Sequence, residues 1–386
     1  MDLCIVFENV FSNELILKQI LSKLHLKELT LCRHVCRQWY RLAVSEERKR
    51  LKIENWFFAF TRFKSYDWSS SNRKVCNNFA ELLKAIRLYM SDFGFWIRPR
   101  YGFVFYGTDE AIWIHQLCDY NVFLKYVPQD CQLVFIHTPR GVVGSDSLGI
   151  PQEVETNKRA AISYMFTPKF MNDDKCGLTV FDEKDNLSQF DPKQSSDNRK
   201  LKALIVFTTS GVKKEACKNV ENLVLKYSQL AVGGGAVGDV GLVNRQNSNI
   251  LVNRKKLIGM AFYGEKVEAA SIVLTTETEE STKDRLQQFK SNLNFDPDIS
   301  NSLVETIGFI IISSFRSVKV YGKENVDSQL FHYIFPNVKL NGVLAVEEFG
   351  INYFPKTVIE RELIKSRNNR WHAYSTVIVL VHLNKS

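Results

Sequence analysis

The side chains that most often carry chemistry lie far apart along this chain of 386 residues. Its seven histidines are dispersed, and it contains no G-x-S-x-G elbow, no H-E-x-x-H pair and no P-loop lysine. Its eight cysteines form no C-x-x-C pair, a pattern typical of reduced thiols in the cytoplasm or nucleus. We therefore expect no enzyme activity, no resident metal and no cofactor, and we expect a cytoplasmic or nuclear location.

Two short patterns remain as candidate sites. Glu347 and Glu348 stand beside Gly350 and suit an amine or a metal, although such a pair is more often a solvated loop. Residues 233–238 contain G-x-G-x-x-G after a predicted strand, but a dinucleotide site needs a helix N-terminus directly after the glycines. An Asn-rich loop follows instead, which favours glycines that let a sheet end pack closely against another backbone.

The formal net charge of +9 indicates an acidic partner or a solvated basic surface. Arg33, Arg37 and Arg41 recur on one face of a predicted helix. A basic helix face can bind phosphates, but no recognised nucleic-acid module follows it, so we expect nucleic acid not to be the partner. No apolar run approaches the ~20 residues of a membrane span, and we expect no membrane partner.

Three short helices are predicted near the N-terminus, and they are the first elements able to position a site. The first can be capped by Ser12 or Asn13, the second fits residues 27–31 and the third fits residues 33–47. Such small helices bury too little apolar surface to be stable alone. The apolar side chains that remain after they pack predict a docking surface, whereas the alternative is a helical subdomain that packs only on the rest of the chain.

Alternating strands and helices follow, which predicts an α+β fold. Two strand–helix–strand segments, at residues 203–237 and 307–345, echo each other, and each places a glycine (Gly234 and Gly342) in its second strand. This echo predicts a duplicated α/β unit with mixed sheets, because strand–helix–strand order favours neighbouring parallel strands. Further helices are predicted at residues 79–90, 110–126, 215–227, 282–292 and 325–335.

The N-terminal stretch, residues 9–53, resembles an F-box. Residues 35–39 are Val-Cys-Arg-Gln-Trp, which is similar to the Val-Cys-Arg-x-Trp signature of that family. The family usually opens with Leu-Pro, where this chain has Phe11-Ser12. The resemblance implies that the helices dock a Skp-type adaptor and, through it, a cullin and a RING protein. The adaptor-binding residues that it implies are Leu15, Ile16, Ile20, Leu21, Leu24, Leu29, Val35 and Trp39.

The chain from residue 128 to 386 resembles the FIST domain of the F-box only protein 22-like family. The similarity is collinear, and its short motifs include residues 127–132, 138–143, 151–155 and 372–376. The resemblance implies four parts: an F-box-like helical domain at 9–53, a connecting α/β segment at 54–127, and FIST N-terminal and C-terminal regions at 128–255 and 256–386.

The FIST signature typically has a cysteine, then Gly-Arg-Gly and a tyrosine. This chain has Ser313 at the cysteine position and Phe315-Arg316-Ser317 after it, with Tyr321 retained. A thiol-dependent role is therefore not expected at this point. The candidate pocket for a ligand or substrate comprises Arg316, Tyr321, Glu348 and His372.

Together, the two resemblances imply a substrate receptor of a cullin-based ubiquitin ligase. The N-terminal helices would bind the adaptor, the FIST-type region would recruit a protein substrate, and proximity would provide the rate. The alternative is a small-molecule-binding sensor or metabolic enzyme whose N-terminal helices only pack on it.

Overall fold

The fold is taken from a computed structural model of the chain. The residues that it describes are 13–50, 53–61, 95–107, 127–145, 149–155, 159–168, 172–173, 175–185, 200–209, 218–227, 229–246, 249–275, 278–299, 301, 303–314, 316–356 and 371–385. The helices predicted at 79–90 and 110–126 lie outside these residues, as does the Phe11-Ser12 departure from the F-box pattern.

The three predicted N-terminal helices are confirmed as α1 (Glu14–Leu21), α2 (Leu26–Cys32) and α3 (Arg37–Lys49). The predicted start of the third helix was wrong, because Cys36 is extended, with φ −162° and ψ 175°, and serves as the N-cap of α3. The helices pack around a small apolar core. Its members are Leu17, Leu21, Leu29, Cys32, Leu42 and Ala43.

The predicted cap of the first helix is Asn13. Its side-chain oxygen accepts hydrogen bonds from the N–H groups of Leu15 (3.0 Å) and Ile16 (3.3 Å). We expect Asn13→Ala to destabilise the helical unit by about 1 kcal/mol, because two N–H groups lose their acceptor. Denaturant unfolding followed by circular dichroism checks this, with Asn13→Ser as the control that retains a capping oxygen. Equal losses in the two variants would contradict the capping role.

Four further helices are seen in the described residues: α4 (Lys218–Lys226), α5 (Glu279–Ser291), α6 (Arg316–Tyr321) and α7 (Val326–Ile334). The predictions at 215–227, 282–292 and 325–335 are thus confirmed within a few residues at their ends. No helix in this part of the chain combines the length and apolarity needed to cross a membrane.

The strands are β1 (Glu54–Thr61), β2 (Pro99–Gly107), β3 (Gln132–Thr138), β4 (Gly141–Ser145), β5 (Pro151–Glu155), β6 (Arg159–Pro168), β7 (Asn172–Asp173), β8 (Cys176–Asp182), β9 (Leu201–Thr209), β10 (Ala231–Val237), β11 (Asp239–Gln246), β12 (Asn249–Lys255), β13 (Leu257–Tyr263), β14 (Val267–Leu274), β15 (Val304–Ser313), β16 (Lys339–Ala345), β17 (Glu347–Gly350), β18 (Trp371–His372) and β19 (Thr376–Asn384). They form three mixed sheets, as predicted. The strand orders are β1-β6-β2-β3-β11-β12 in the first sheet, β18-β17-β10-β9-β13-β8-β7 in the second and β14-β19-β15-β16-β4-β5 in the third.

The three sheets share one plan. Each sheet contains one parallel pair formed by two strands that are consecutive along the chain: β2 with β3, β9 with β10, and β15 with β16. The predicted echo between 203–237 and 307–345 is therefore confirmed, and β2–β3 adds a third parallel pair. Beside each parallel pair lies a hairpin that follows the second strand of a different sheet: β11–β12 after β10, β17–β18 after β16, and β4–β5 after β3. The sheets thus exchange hairpins, and each contains strands from distant parts of the chain.

The predicted glycine echo has a steric cause. Gly234 and Gly342 occupy equivalent positions in β10 and β16, each three residues before the last residue of the strand. A Cβ atom at Gly234 would collide with the carbonyl of Val206, and one at Gly342 with the carbonyl of Ile310. The G-x-G-x-x-G segment at 233–238 belongs to β10 and its turn into β11, so close packing explains these glycines without a nucleotide.

A single apolar core is shared by the inner faces of all three sheets. Phe105, Phe207 and Ile311 contribute to it from the first strand of each parallel pair. Each such buried side chain stabilises the fold by roughly 1.5–3 kcal/mol. On the outer faces, α4 covers the second sheet and α5 and α7 cover the third. Strands from both sides of residue 255 share the second and the third sheet, while the domain boundaries at 54, 128 and 256 stay predictions.

Candidate functional site

The three N-terminal helices leave large apolar side chains uncovered. Leu15, Leu31, Val35 and Tyr40 are exposed by 72%, 65%, 61% and 55% of their surface. Four of the predicted adaptor-binding residues are half-buried beside or near them: Ile16, Ile20, Leu24 and Trp39. An isolated exposed leucine is ordinary, but several on one 37-residue helical unit are typical of a protein-binding surface. We call Leu15, Leu31, Val35 and Tyr40 the apolar surface.

Two predicted contact residues lie elsewhere. Leu21 and Leu29 are fully buried in the core of the helical unit, so a partner cannot touch them. The prediction was wrong for them as contacts, because the residues that face the core of a small helical unit are the same apolar ones that carry its pattern. Leu31 and Tyr40 were missed. Leu31 lies two positions after buried Leu29, about 200° around the helix, which is the signal that places it outside.

The helical unit is fixed to the body on a different side. The N–H of Leu26 donates to the carbonyl of Phe95 (2.8 Å). Arg50, at the end of α3, donates to the carbonyls of Leu21 (2.9 Å) and Trp96 (3.0 Å), and its guanidinium lies 4.0 Å from the centre of the Trp96 ring. The body therefore packs on the α1–α2 loop and the end of α3, and it leaves the apolar surface accessible.

A cleft of about 480 Å³ lies at this junction, between α2, α3 and residues 128–130. Arg33 pairs with Glu47, and Arg98 lies 3.3 Å from the carboxylate of Asp130. Two cations and two anions therefore line it, and it offers no net charge to a ligand.

Glu54 also belongs to the junction, where its Oε1 accepts the N–H of Trp96 (2.8 Å). Burial raises the pKa of Glu54 from 4.5 to about 8. The folded state therefore holds a proton that the unfolded chain releases above about pH 4.5, so the contribution of Glu54 to stability is complete below that pH and is lost as the pH rises to about 8.

Between about pH 5 and about pH 8, we expect the wild type to lose about 2–4 kcal/mol more of its free energy of unfolding than the Glu54→Gln variant. Urea unfolding at about pH 5 and about pH 8 measures the difference. The exposed Glu265→Gln variant is the control and should keep the wild-type pH profile. Parallel profiles for Glu54→Gln and the wild type would contradict the assignment.

Arg316 and Tyr321 of the predicted pocket do lie together, but they are inside the protein. The fully buried Arg316 donates to Oδ2 of Asp327 (2.9 Å), to the carbonyl of Tyr374 (3.0 Å) and to the hydroxyl of Tyr321 (2.6 Å). Thr376 donates to the same Asp327 oxygen (2.6 Å). These bonds satisfy the guanidinium and make the group a structural network. Asp327 was missed because an ordinary helix position carries no motif. Thr376 closes the 372–376 motif of the FIST resemblance but was not predicted as a site residue.

Glu348 and His372 are opposite each other in the antiparallel pair β17–β18. The carboxyl of Glu348 is fully buried, and its Oε2 accepts from the hydroxyl (3.0 Å) and the N–H (3.4 Å) of Ser375. His372 bonds through Nε2 to the carbonyl of Gly350 (3.0 Å), and burial lowers its pKa, which favours the neutral ring. The solvated-loop interpretation of Glu347–Glu348 was therefore wrong for Glu348.

The candidate pocket is thus two buried groups that meet at residues 374–376. Arg316 holds one side of this segment through the carbonyl of Tyr374, and Glu348 holds the other through Ser375. No cluster of three or more His, Cys, Asp or Glu side chains able to hold a metal occurs among the described residues.

The comparison with protein families agrees with the helical unit. Residues 14–50 match the F-box-like family. A search of curated proteins returned no match to the chain. Domains of the F-box-like kind typically bind Skp-type adaptors, and the chain's own F-box-like domain fits an adaptor role in a ligase of the Skp–cullin–F-box type.

Proposed function

We propose that this protein is a substrate-recognition subunit of a Skp–cullin–F-box type ubiquitin ligase. The observation that carries the proposal is the apolar surface of the F-box-like unit, which the body leaves uncovered. Burying four large apolar side chains against a partner removes surface from water that the chain cannot bury itself.

The basic residues around this surface favour an acidic partner. Arg37 and Arg41 on α3 are exposed, and Arg41 shares Glu14 with Lys18 at 2.9 Å and 2.8 Å. Such exposed pairs add only about 0–1 kcal/mol to stability, so the cations remain available to steer an approaching acidic protein.

We assign substrate recruitment to the body, in keeping with its collinear resemblance to the FIST domain. The contacts of Arg50 and Leu26 hold the helical unit against the body, so a substrate on the body would stay at a fixed distance from the adaptor. The rate of ubiquitin transfer would then come from proximity, with no side chain of this chain acting on the reacting atoms.

Reconstitution tests the proposal. The intact chain is coexpressed with a Skp-type adaptor, a cullin and a RING protein and is purified through a tag on the chain. We expect all four proteins to co-elute, and associated proteins identified by mass spectrometry to gain ubiquitin when the ubiquitin-charging enzymes are added. Elution of the chain without the adaptor would contradict the proposal.

The alternative of a small-molecule sensor or metabolic enzyme has weaker support. It relied on Arg316, Tyr321, Glu348 and His372 as a pocket, and Arg316 and Glu348 are both inaccessible. A thermal shift with a metabolite that is lost on changing Glu348 would favour it.

A further inference from the structure

Glu348 replaces a valine that the other two sheets have at the same place. When the three parallel pairs are aligned at the last residues of their strands, Gly235 of β10 is equivalent to Ile136 of β3 and to Val343 of β16. The hairpin residues opposite these three are Glu348, Val240 and Val142, respectively. Val142 and Val240 are fully buried in the shared core. The fold itself is therefore satisfied by valine here, and the carboxyl of Glu348 needs another explanation.

The carboxyl has donors on one oxygen only. Its Oε2 accepts two bonds from Ser375. Its Oε1 is buried and has no hydrogen-bond partner among the residues that the structure describes. A buried carboxylate with one bare oxygen is costly, and burial raises the pKa of Glu348 from 4.5 to about 7.

The peptide bond between Tyr374 and Ser375 is held from both sides. Its carbonyl accepts from Nη1 of Arg316 (3.0 Å), and its N–H donates to Glu348 (3.4 Å). Tyr374 has φ +61°, a left-handed conformation that costs a non-glycine residue of order 1–3 kcal/mol and persists only where neighbours enforce it. Its side chain is 53% exposed. Tyr374 is therefore under strain, and Glu348 and Arg316 are the restraints on the peptide bond that follows it.

Among the residues that the structure describes, few titratable groups surround Glu348. His372 lies opposite on β18, Glu347 precedes it on β17, and the Arg316–Asp327 pair lies beyond the Tyr374–Ser375 peptide. The strand β10 has no charged residue. The titratable residues of β14, β15 and β19 lie at the far ends of those strands, next to one another: Glu268, Glu305 and His382.

We propose that Glu348 is a proton-operated latch: its neutral carboxyl keeps residues 371–376 closed, and its ionisation opens them to solvent and releases Tyr374 from its strained conformation. Opening breaks the two-residue pairing of β17 with β18 and the bond from the N–H of Ser313 to the carbonyl of Ser375 (2.9 Å), and it frays β19 at its first residue, Thr376. The latch does not depend on the proposed ligase function.

Hydrogen exchange of the intact chain, read by mass spectrometry over peptides containing residues 371–376, tests the latch. The values are corrected for the pH dependence of the chemical exchange step. With a carboxyl pKa of about 7 when closed and 4.5 when open, we expect opening to rise roughly 25-fold between about pH 5.5 and about pH 8.

Two variants make the test specific. Glu348→Gln keeps the shape of the side chain without a titrating proton and should exchange slowly at every pH. Glu348→Val removes the titrating proton together with the acceptor for Ser375, so its exchange should not change with pH at any level it takes. Glu54→Gln removes a different carboxyl with a raised pKa and should retain the wild-type pH dependence of hydrogen exchange at residues 371–376. A corrected wild-type profile that is flat with pH, or a rise of equal size in whichever Glu348 variant folds, would overturn the latch.

Discussion

Replacement of Arg316 by methionine is expected to lower the free energy of unfolding of the body by about 3–5 kcal/mol. The variant leaves the carboxylate of Asp327 buried at 1% exposure without its cation. The hydroxyls of Tyr321 and Thr376 remain as donors, at 2.8 Å and 2.6 Å, but neither carries a charge. The carbonyl of Tyr374 loses its bond as well.

The matched control is the double variant Arg316→Met/Asp327→Leu. It removes both charges, and apolar side chains of similar size often replace a buried ion pair with little loss of stability. We expect the double variant to recover most of the loss, measured by denaturant unfolding at neutral pH. A double variant no more stable than Arg316→Met would show that the pair is not the source of the effect.

The second large effect is expected at the apolar surface. The double variant Leu31→Glu/Val35→Glu should weaken adaptor binding at least about 100-fold, because two carboxylates would have to lose their water inside an apolar interface. Both positions are exposed, so the thermal unfolding of the isolated chain should stay within about 0.5 kcal/mol of wild type. Isothermal titration with a purified Skp-type adaptor measures the affinity.

The control for this variant is Leu225→Glu, on α4 of the body, where the leucine is 50% exposed. It adds the same charge at a comparably exposed leucine outside the helical unit. Equal affinity of the control and of Leu31→Glu/Val35→Glu for the adaptor would show that the apolar surface does not bind the adaptor.

The helical unit was largely predictable because its information is local. The spacing of Leu17 and Leu21 defines one helix face, and Asn13 supplies the cap within three residues. The division of its apolar residues into core and surface was not predictable in the same way. It depends on which helix packs against which, and this decides that Leu29 is buried and Leu31 is exposed.

The third parallel pair, β2 with β3, was not predicted because it lacks the glycine that marks the other two pairs. Where β10 and β16 have Gly234 and Gly342, β3 has Phe135, so the glycine signal is absent from the first sheet. The exchange of hairpins was also invisible, because pairs such as Gly235 with Glu348 join residues more than a hundred positions apart. Their pairing is set by the assembled sheets and not by neighbouring sequence.

The four residues of the candidate pocket lie in the structure as two pairs. Arg316 contacts Tyr321, and Glu348 pairs with His372, as their common assignment suggested. What the sequence did not indicate is that the groups face inward. Burial follows from the long-range packing of β15, β17 and β19, and the link between the two groups is an ordinary peptide bond between Tyr374 and Ser375.

The most direct test of the ligase assignment is a photo-crosslink from the apolar surface. A photoreactive phenylalanine analogue is placed at Leu31 in one sample and at Leu225 in another, and each chain is irradiated with an equimolar Skp-type adaptor. The account predicts an adaptor crosslink from position 31 and none from position 225. Crosslinks from position 225 alone, or from neither position while the two proteins still co-elute, would contradict it.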